Sequence, residues 1–216
     1  MPRPADLSVD LAAANDDNVC VSQTPSGSGS LTMNGADVSG GIATLDAGGY
    51  PRQVIATFAG NEATGTLTMT VTGTVTQHGT ELVTTTIAGV DAGIGAAVPF
   101  FYTITDISVD KAANGAIEVG TSAVGASNAF PVDWRQSKVG LGLFFDVTGT
   151  TSFTLQYTGD DVFNGSVTPL WFSDGTILNK TADFMGTATQ PCTAIKILIN
   201  SGTGSVDARI VQQTGY

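Results

Sequence analysis

The chain has 216 residues, with 27 Gly and 31 Thr, and only 12% are charged, about half the usual share for a soluble domain. Lys and Arg number 8 against 19 Asp and Glu, a net charge of -11; so few cations cannot follow a phosphate backbone, and direct nucleic-acid binding is not expected. A 42% hydrophobic composition excludes disorder, and the shortage of Glu, Lys and Arg excludes a long coiled coil, leaving a Thr- and Gly-rich β protein.

Residues 1–50 hold no sustained period. PSGSGS (Pro25 to Ser30), NGAD (Asn34 to Asp37), SGG (Ser39 to Gly41) and AGGYP (Ala47 to Pro51) are turn chemistry. Short extended pieces, Asn18 to Gln23 and Ser30 to Met33, lie between them. The segment reads either as an extended arm or as an irregular strand-and-loop region that orders against its neighbours.

From Arg52 the period becomes 2. Gln53 to Phe58 reads as a strand, and TLTMTVTGTVT (Thr66 to Thr76) alternates Leu67, Met69 and Val71 against threonines. A β-branched hydroxyl residue suits the pleat and tolerates water, so Thr marks the wet face. QHG (Gln77 to Gly79) supplies a turn and Glu81 to Ala88 returns, which predicts a hairpin. Phe101 to Val109 and Ala116 to Gly120, joined by KAANG, predict a second. Val139 to Val147 and Ser152 to Tyr157 are expected to pair across TGTT (Thr148 to Thr151). Ala194 to Asn200 and Ser205 to Gln212 are strands joined by SGTG, and residues 160–190, with Trp171, Phe172, Phe184 and Met185, are expected to form a packed loop.

No apolar run reaches the length of a membrane span; the longest, near Ala96 to Tyr102, is broken by Pro99. MPRPADLSVDLAAANDD has no apolar h-region, so no secretory signal is expected. Short strands at intervals of about ten residues predict an all-β antiparallel sandwich or jelly roll with negligible helix. The expected division is an irregular region over 1–50, a sandwich module over 51–125 and a second over 129–216.

Residues that could carry chemistry are few. His78 is the one histidine and falls in the predicted QHG turn, which gives no support to a histidine triad or a metal cluster. Cys20 and Cys192 have no C-x-x-C spacing; both are expected reduced, with no zinc site. Asp16 with Asp17, and Asp160 with Asp161, lack calcium-loop spacing and read as solvated loop carboxylates. Asp133, Asp146, Asp160, Asp161 and Asp174 are candidates for a glycosidase-type acid/base pair, with nothing to choose among them. GIGAA (Gly93 to Ala97) has no following helix and is not a dinucleotide turn. Phe100, Phe101, Tyr102, Phe144 and Phe145 are expected to pack in the core or across strands, whereas Trp134 and Trp171 read as core first and as a sugar platform second.

The segment TLTMTVTGTVTQHGTELVTTTIAGVDAG, followed by FFYTITDISVD, resembles a pattern of tailed-bacteriophage virion proteins. SFTLQYTGDDVFNG, a central WF and PCTAIKILINSGTGSVDARIVQ extend the resemblance over roughly residues 60–216. It implies a β-sandwich virion component with no catalytic, cofactor-binding or metal residues; Asp106, Ser201 and Gly202 to Gly204 match pattern positions with structural roles. The expectation that follows is a non-enzymatic capsid decoration (cement) protein, made in the host cytoplasm and placed on the head exterior. Its partners would be the major capsid protein and copies of itself, as a trimer, with no membrane and with residues 1–50 as a clamp. Alternatives are a tail, neck or fibre-base protein, and a carbohydrate-binding or adhesin module using Trp134, Trp171 or Phe172. Low charge fits a surface made largely for contact.

Overall fold

The computed structural model describes residues 4–62, 67–76, 82–133, 140–164 and 168–212. Every named element is a strand: β1 (Ala5–Asp10), β2 (Asn15–Gln23), β3 (Gly29–Ser30), β4 (Val38–Ser39), β5 (Ile42–Thr44) and β6 (Arg52–Asn61). Then come β7 (Thr68–Thr74), β8 (Val83–Ala88), β9 (Asp91–Ala96), β10 (Thr103–Val109), β11 (Ile117–Ala126) and β12 (Phe130–Pro131). The last are β13 (Leu141–Val147), β14 (Ser152–Thr158), β15 (Phe172–Ser173), β16 (Phe184–Ala188), β17 (Ala194–Ser201) and β18 (Ser205–Gln212). All registered pairs are antiparallel, and the all-β sandwich class expected from the alternation is what the chain forms.

The chain divides into two compact units, Ala12–Ala123 and Met1–Leu11 with Val124–Tyr216. Of the two readings of residues 1–50, the strand-and-loop region ordered against its neighbours describes residues 4–50, and the extended arm does not. β1 pairs along its whole length with β18 and buries Leu7 and Val9, so it belongs to the second unit. β2 pairs with β11 and buries Val19 and Cys20, while β3 and β5 pair with β10, all in the first unit. The Gly- and Ser-rich turns hid β3, β4 and β5, which are two or three residues long, while β2 is broken by register shifts against β11; their order comes from the long strands they border.

In the first unit, one sheet runs β4-β5-β10-β7-β8, with β3 also on β10; β2, β11, β6 and β9 form the opposing layer. One core joins Val54, Ala56 and Phe58 of β6 and Ile117 and Val119 of β11 to Met69 and Val71 of β7 and Ile104 and Ile107 of β10. The expected β7–β8 hairpin forms, with Met69 opposite Ile87 inward and Thr72 opposite Thr84 outward. Its turn, with His78, lies outside the described residues. A register shift between Ile104 and Asp106 inserts one residue into β10, which keeps Ile104, Ile107 and Val109 all facing the core.

Two other expected hairpins are not hairpins. β10 lies on β7 while β11 lies on β2 and β6, so KAANG carries the chain from one sheet to the other. That crossing is held by Glu62, 1% exposed, whose Oε1 accepts the backbone N–H groups of Asn114 (2.7 Å) and Gly115 (3.0 Å). Likewise β13 pairs with β18 and β16, and β14 with β17 and β15, so TGTT is also a sheet-to-sheet arch. SGTG, between β17 and β18, is its counterpart.

These last two arches stack. Thr148 N donates to Ser205 O at 3.0 Å and Thr150 N to Thr203 O at 2.9 Å. Gly149 (φ +75°), Gly202 (φ +97°) and Gly204 (φ +128°) occupy backbone conformations that L side chains rarely adopt. A Cβ on any of them would meet a carbonyl oxygen of the facing turn: Thr203 O, Thr150 O and Thr148 O respectively. The stacked arches place the inner faces of the second unit against each other, with the Phe145 and Phe153 rings 4.8 Å apart. Burial of each such ring contributes about 2–3 kcal/mol. The described residues of 160–190 include more than a loop: β15 and β16 lie among them, and Lys180 and Phe153 exchange both backbone hydrogen bonds at 2.8 Å.

Gly204→Ala is therefore expected to destabilise the second unit by about 3 kcal/mol through backbone strain and collision. Gly175→Ala, whose Cβ meets nothing within 4 Å, is expected to change stability by less than about 0.5 kcal/mol. Urea unfolding of both variants against the parent checks this. Glu62→Ala removes the acceptor of two part-buried N–H donors and is expected to lower the urea midpoint by the equivalent of about 1–3 kcal/mol.

Candidate functional site

The candidate carboxylates are mostly occupied in holding turns. Asp160 Oδ2 accepts the N–H of Leu170 at 2.6 Å, and Asp161 Oδ1 that of Phe163 at 3.0 Å. Asp174 Oδ1 accepts the Thr176 N–H, the Thr176 hydroxyl and the Ile177 N–H at 2.6–2.7 Å, and its Oδ2 accepts the Tyr157 hydroxyl. Burial works to raise the Asp174 pKa, but these four bonds outweigh it and hold the carboxyl below its ordinary value. Burial first, then the bond to Asp174, raises that of Tyr157. Such a carboxylate staples a loop: three donors converge on Oδ1, and the Tyr157 hydroxyl holds Oδ2. Asp16 and Asp17 are exposed at the start of β2, and Asp133 donates its N–H to Gln212 Oε1 at 3.2 Å. No group of three metal-ligating side chains occurs among the described residues.

The remaining singled-out residues fall as follows. GIGAA lies on β9 and pairs with β6; a Cβ on Gly95 would press on the Ile87 side chain, so this glycine serves packing. Cys20 and Cys192 are buried free thiols, one in each unit, and burial raises both, Cys20 to about 12. Phe101 and Phe145 are core residues as expected. Phe144 is not: it points outward at 46% exposure. Trp134 lies outside the described residues. Trp171 is half-buried, with Lys196 Nζ 4.4 Å from its ring centroid.

Two concave surfaces of the second unit carry large exposed apolar side chains beside carboxylates. The first is a groove of about 380 Å³ at the end of β14, lined by Tyr157, Phe172, Ser173, Asp174 and Gln190. The register puts Phe172, 59% exposed, opposite Tyr157 on one face. The second is a groove of about 700 Å³ on the outer face of the β1-β18-β13-β16 sheet. There strand alternation sends Leu143 and Phe145 inward and Phe144 and Asp146 outward. One cross-strand row reads Met185, Phe144, Arg209, Asp6, and the next Asp146, Asp207, Ser8. Arg209 Nε lies 3.2 Å from Asp6 Oδ1, in an exposed ion pair. Met185 is 71% exposed, and Val211 lies beside them. Alternation within each strand was legible in the sequence, but which strands become neighbours was not, so this surface could not be assembled from it.

No protein-family model matches the chain, and no curated protein or solved structure matches it. Among the described residues no helix is long and apolar enough to cross a membrane.

Lys196 provides a solution test of this unit. Burial lowers its pKa to about 7, against about 10.4 in an unfolded chain. Between those values the unfolded state binds more protons, so this group makes stability rise with pH from about 7 upward. Buried Cys20 acts oppositely above about pH 8.5, its thiol remaining protonated in the fold. Lys196→Met is expected to abolish the rise between pH 6.5 and 8.5; urea midpoints of parent and variant across that range measure the difference.

Proposed function

We propose that the protein is a non-enzymatic structural component of a tailed-bacteriophage virion, a decoration protein that bridges capsid subunits on the head exterior. The observation that carries this reading is the outer face of the β1-β18-β13-β16 sheet. Phe144, Met185 and Val211 stand on it in adjoining positions, although the inner face of the same strands already holds a full apolar set. An open sheet face with large apolar side chains beside charged ones is the chemistry of a protein contact. The second support is the use of carboxylates: Asp160, Asp161 and Asp174 brace loops by accepting backbone N–H bonds. The third is the resemblance of the Thr-rich β7–β8 hairpin and the SGTG arch to phage virion segments. Net charge of -11 suits a place away from DNA.

On this reading the clamp is not a loose N-terminal arm. β1 and β2 are built into the two units, and contact falls to the sheet faces. Many weak contacts repeated over a lattice, multiplied by self-association as a trimer, would resist internal pressure through avidity.

Purified protein mixed with undecorated, expanded capsids of the encoding phage is expected to bind saturably, at a stoichiometry set by the lattice. Failure to bind, or binding confined to isolated tails, rejects the decoration reading; the second outcome selects a tail or neck station. Phe172 on the smaller groove favours glycan binding as a second reading. It predicts oligosaccharide binding on a glycan array that falls at least about tenfold in Phe172→Ala.

A further inference from the structure

Asp146 on β13 and Asp207 on β18 are directly opposite in the register and both point outward. Like charges in directly opposed positions destabilise an antiparallel pair. Neither carboxylate has a hydrogen bond or ion pair among the described residues; the nearest cation by register, Arg209, is turned to Asp6. Their Cβ atoms stand about 5 Å apart, a separation that one guanidinium or ammonium group can bridge. The neighbouring row, two residues along each strand and so about 7 Å away, carries Phe144 and Met185. The 700 Å³ groove runs between the two rows.

We propose that this face seats a cationic, partly apolar segment of a partner protein. An Arg or Lys side chain of the partner lies between Asp146 and Asp207, and an apolar side chain rests on Phe144 and Met185. Charge selects this occupant. Among the described residues of these strands, four carboxylates, those of Asp6, Asp10, Asp146 and Asp207, share the face with one cation, so nucleic acid and anionic lipid are repelled. A second copy of the chain is poorly matched as well. It carries 8 cationic residues against 19 acidic ones, with Arg52 in the core and Lys196 beneath Trp171. The segment therefore belongs to a different, more basic protein. This deepens the assembly reading and rests on it only for the source of the segment; the chemistry of the face stands independently.

The probe is a blocked synthetic octapeptide of alternating Arg and Leu, with a Glu-for-Arg control, followed by fluorescence anisotropy at low and moderate salt. One-to-one saturable binding is expected for the Arg peptide and none for the control. The double variant Asp146→Asn, Asp207→Asn is expected to weaken binding at least about tenfold. The variant Asp16→Asn, Asp17→Asn removes the same charge from another exposed site and is expected to change binding less than about twofold. In the free protein, the first variant is also expected to raise the thermal midpoint by about 1–3 °C, because like-charge repulsion is relieved. Equal loss in both double variants overturns the proposal by reducing the attraction to net charge, and no loss in either overturns it because the opposed pair then makes no contact with the peptide. A lowered midpoint in the Asp146, Asp207 variant overturns it too, since the pair would then be structural. Peptide binding without capsid binding refutes the decoration reading and leaves this face assigned; capsid binding unaffected by the variant does the reverse.

Discussion

Close approach of two glycine turns governs the second unit. TGTT and SGTG run side by side with backbone atoms in contact, and a side chain at Gly149, Gly202 or Gly204 would force them apart. Because the turns are locked, the strands leaving them are locked in register: Val147 opposite Val206 in one sheet, Ser152 opposite Ser201 in the other. A slip by one residue would turn every side chain of β13 over. Phe145 would leave its contact with Phe153, and Phe144 would enter the core.

The outer surface is thus a consequence of a backbone constraint at its margin. With Val147 pinned, the next residue, Asp146, must face Asp207, and Phe144 must face Arg209. The fold itself gains nothing from two carboxylates placed across from each other, nor from an exposed Phe beside an exposed Met. Both features make sense as complementarity to something outside the chain. In the first unit the corresponding outward rows are hydroxyl ladders instead, with Thr72 and Thr84 3.2 Å apart and Thr74 and Thr103 2.8 Å apart. Such rows tolerate water and bring no net charge, which is how so long a chain keeps 12% charged residues.

A buried ion pair organises the first unit in a comparable way. Arg52, 1% exposed, lies 3.8 Å from Asp46 and donates to Ser122 O at 2.5 Å, while Asp46 accepts the N–H groups of Ala12 and Gly48. Segments read as loops, around residues 12 and 46–48, are thereby tied to two long strands. Nothing in the local sequence marks them as ordered, since Ala12 is tied to Asp46, 34 positions away, and Asp46 reaches β11 only through Arg52, which bonds Ser122 O 70 positions on. The same holds for Glu62 and KAANG, 52 and 53 positions apart. A loop with turn residues looks alike whether it closes a hairpin or crosses between sheets, because Gly, Asn and Thr serve both geometries. This is why β10–β11 and β13–β14 read as hairpins and are arches.

What the sequence determined by itself was the class and the faces. Period-2 alternation in TLTMTVTGT and SFTLQYT decides which side chains are inward, since successive residues of a strand must point to opposite sides. Composition decided that the surface would be sparsely charged and net acidic, and the wet rows threonine. Tertiary structure alone decided the partners of each strand, and with them the candidate surfaces. Phe144 and Asp146 alternate correctly in the sequence, yet become a contact face only when β18 and β16 bring Asp207, Arg209 and Met185 alongside. Those neighbours come from residues 39 to 65 positions later in the chain, where no local pattern can signal them. The physical reason is that a strand's backbone donors and acceptors are the same along every edge, so only the turns' geometry and the shared core select which edge is met.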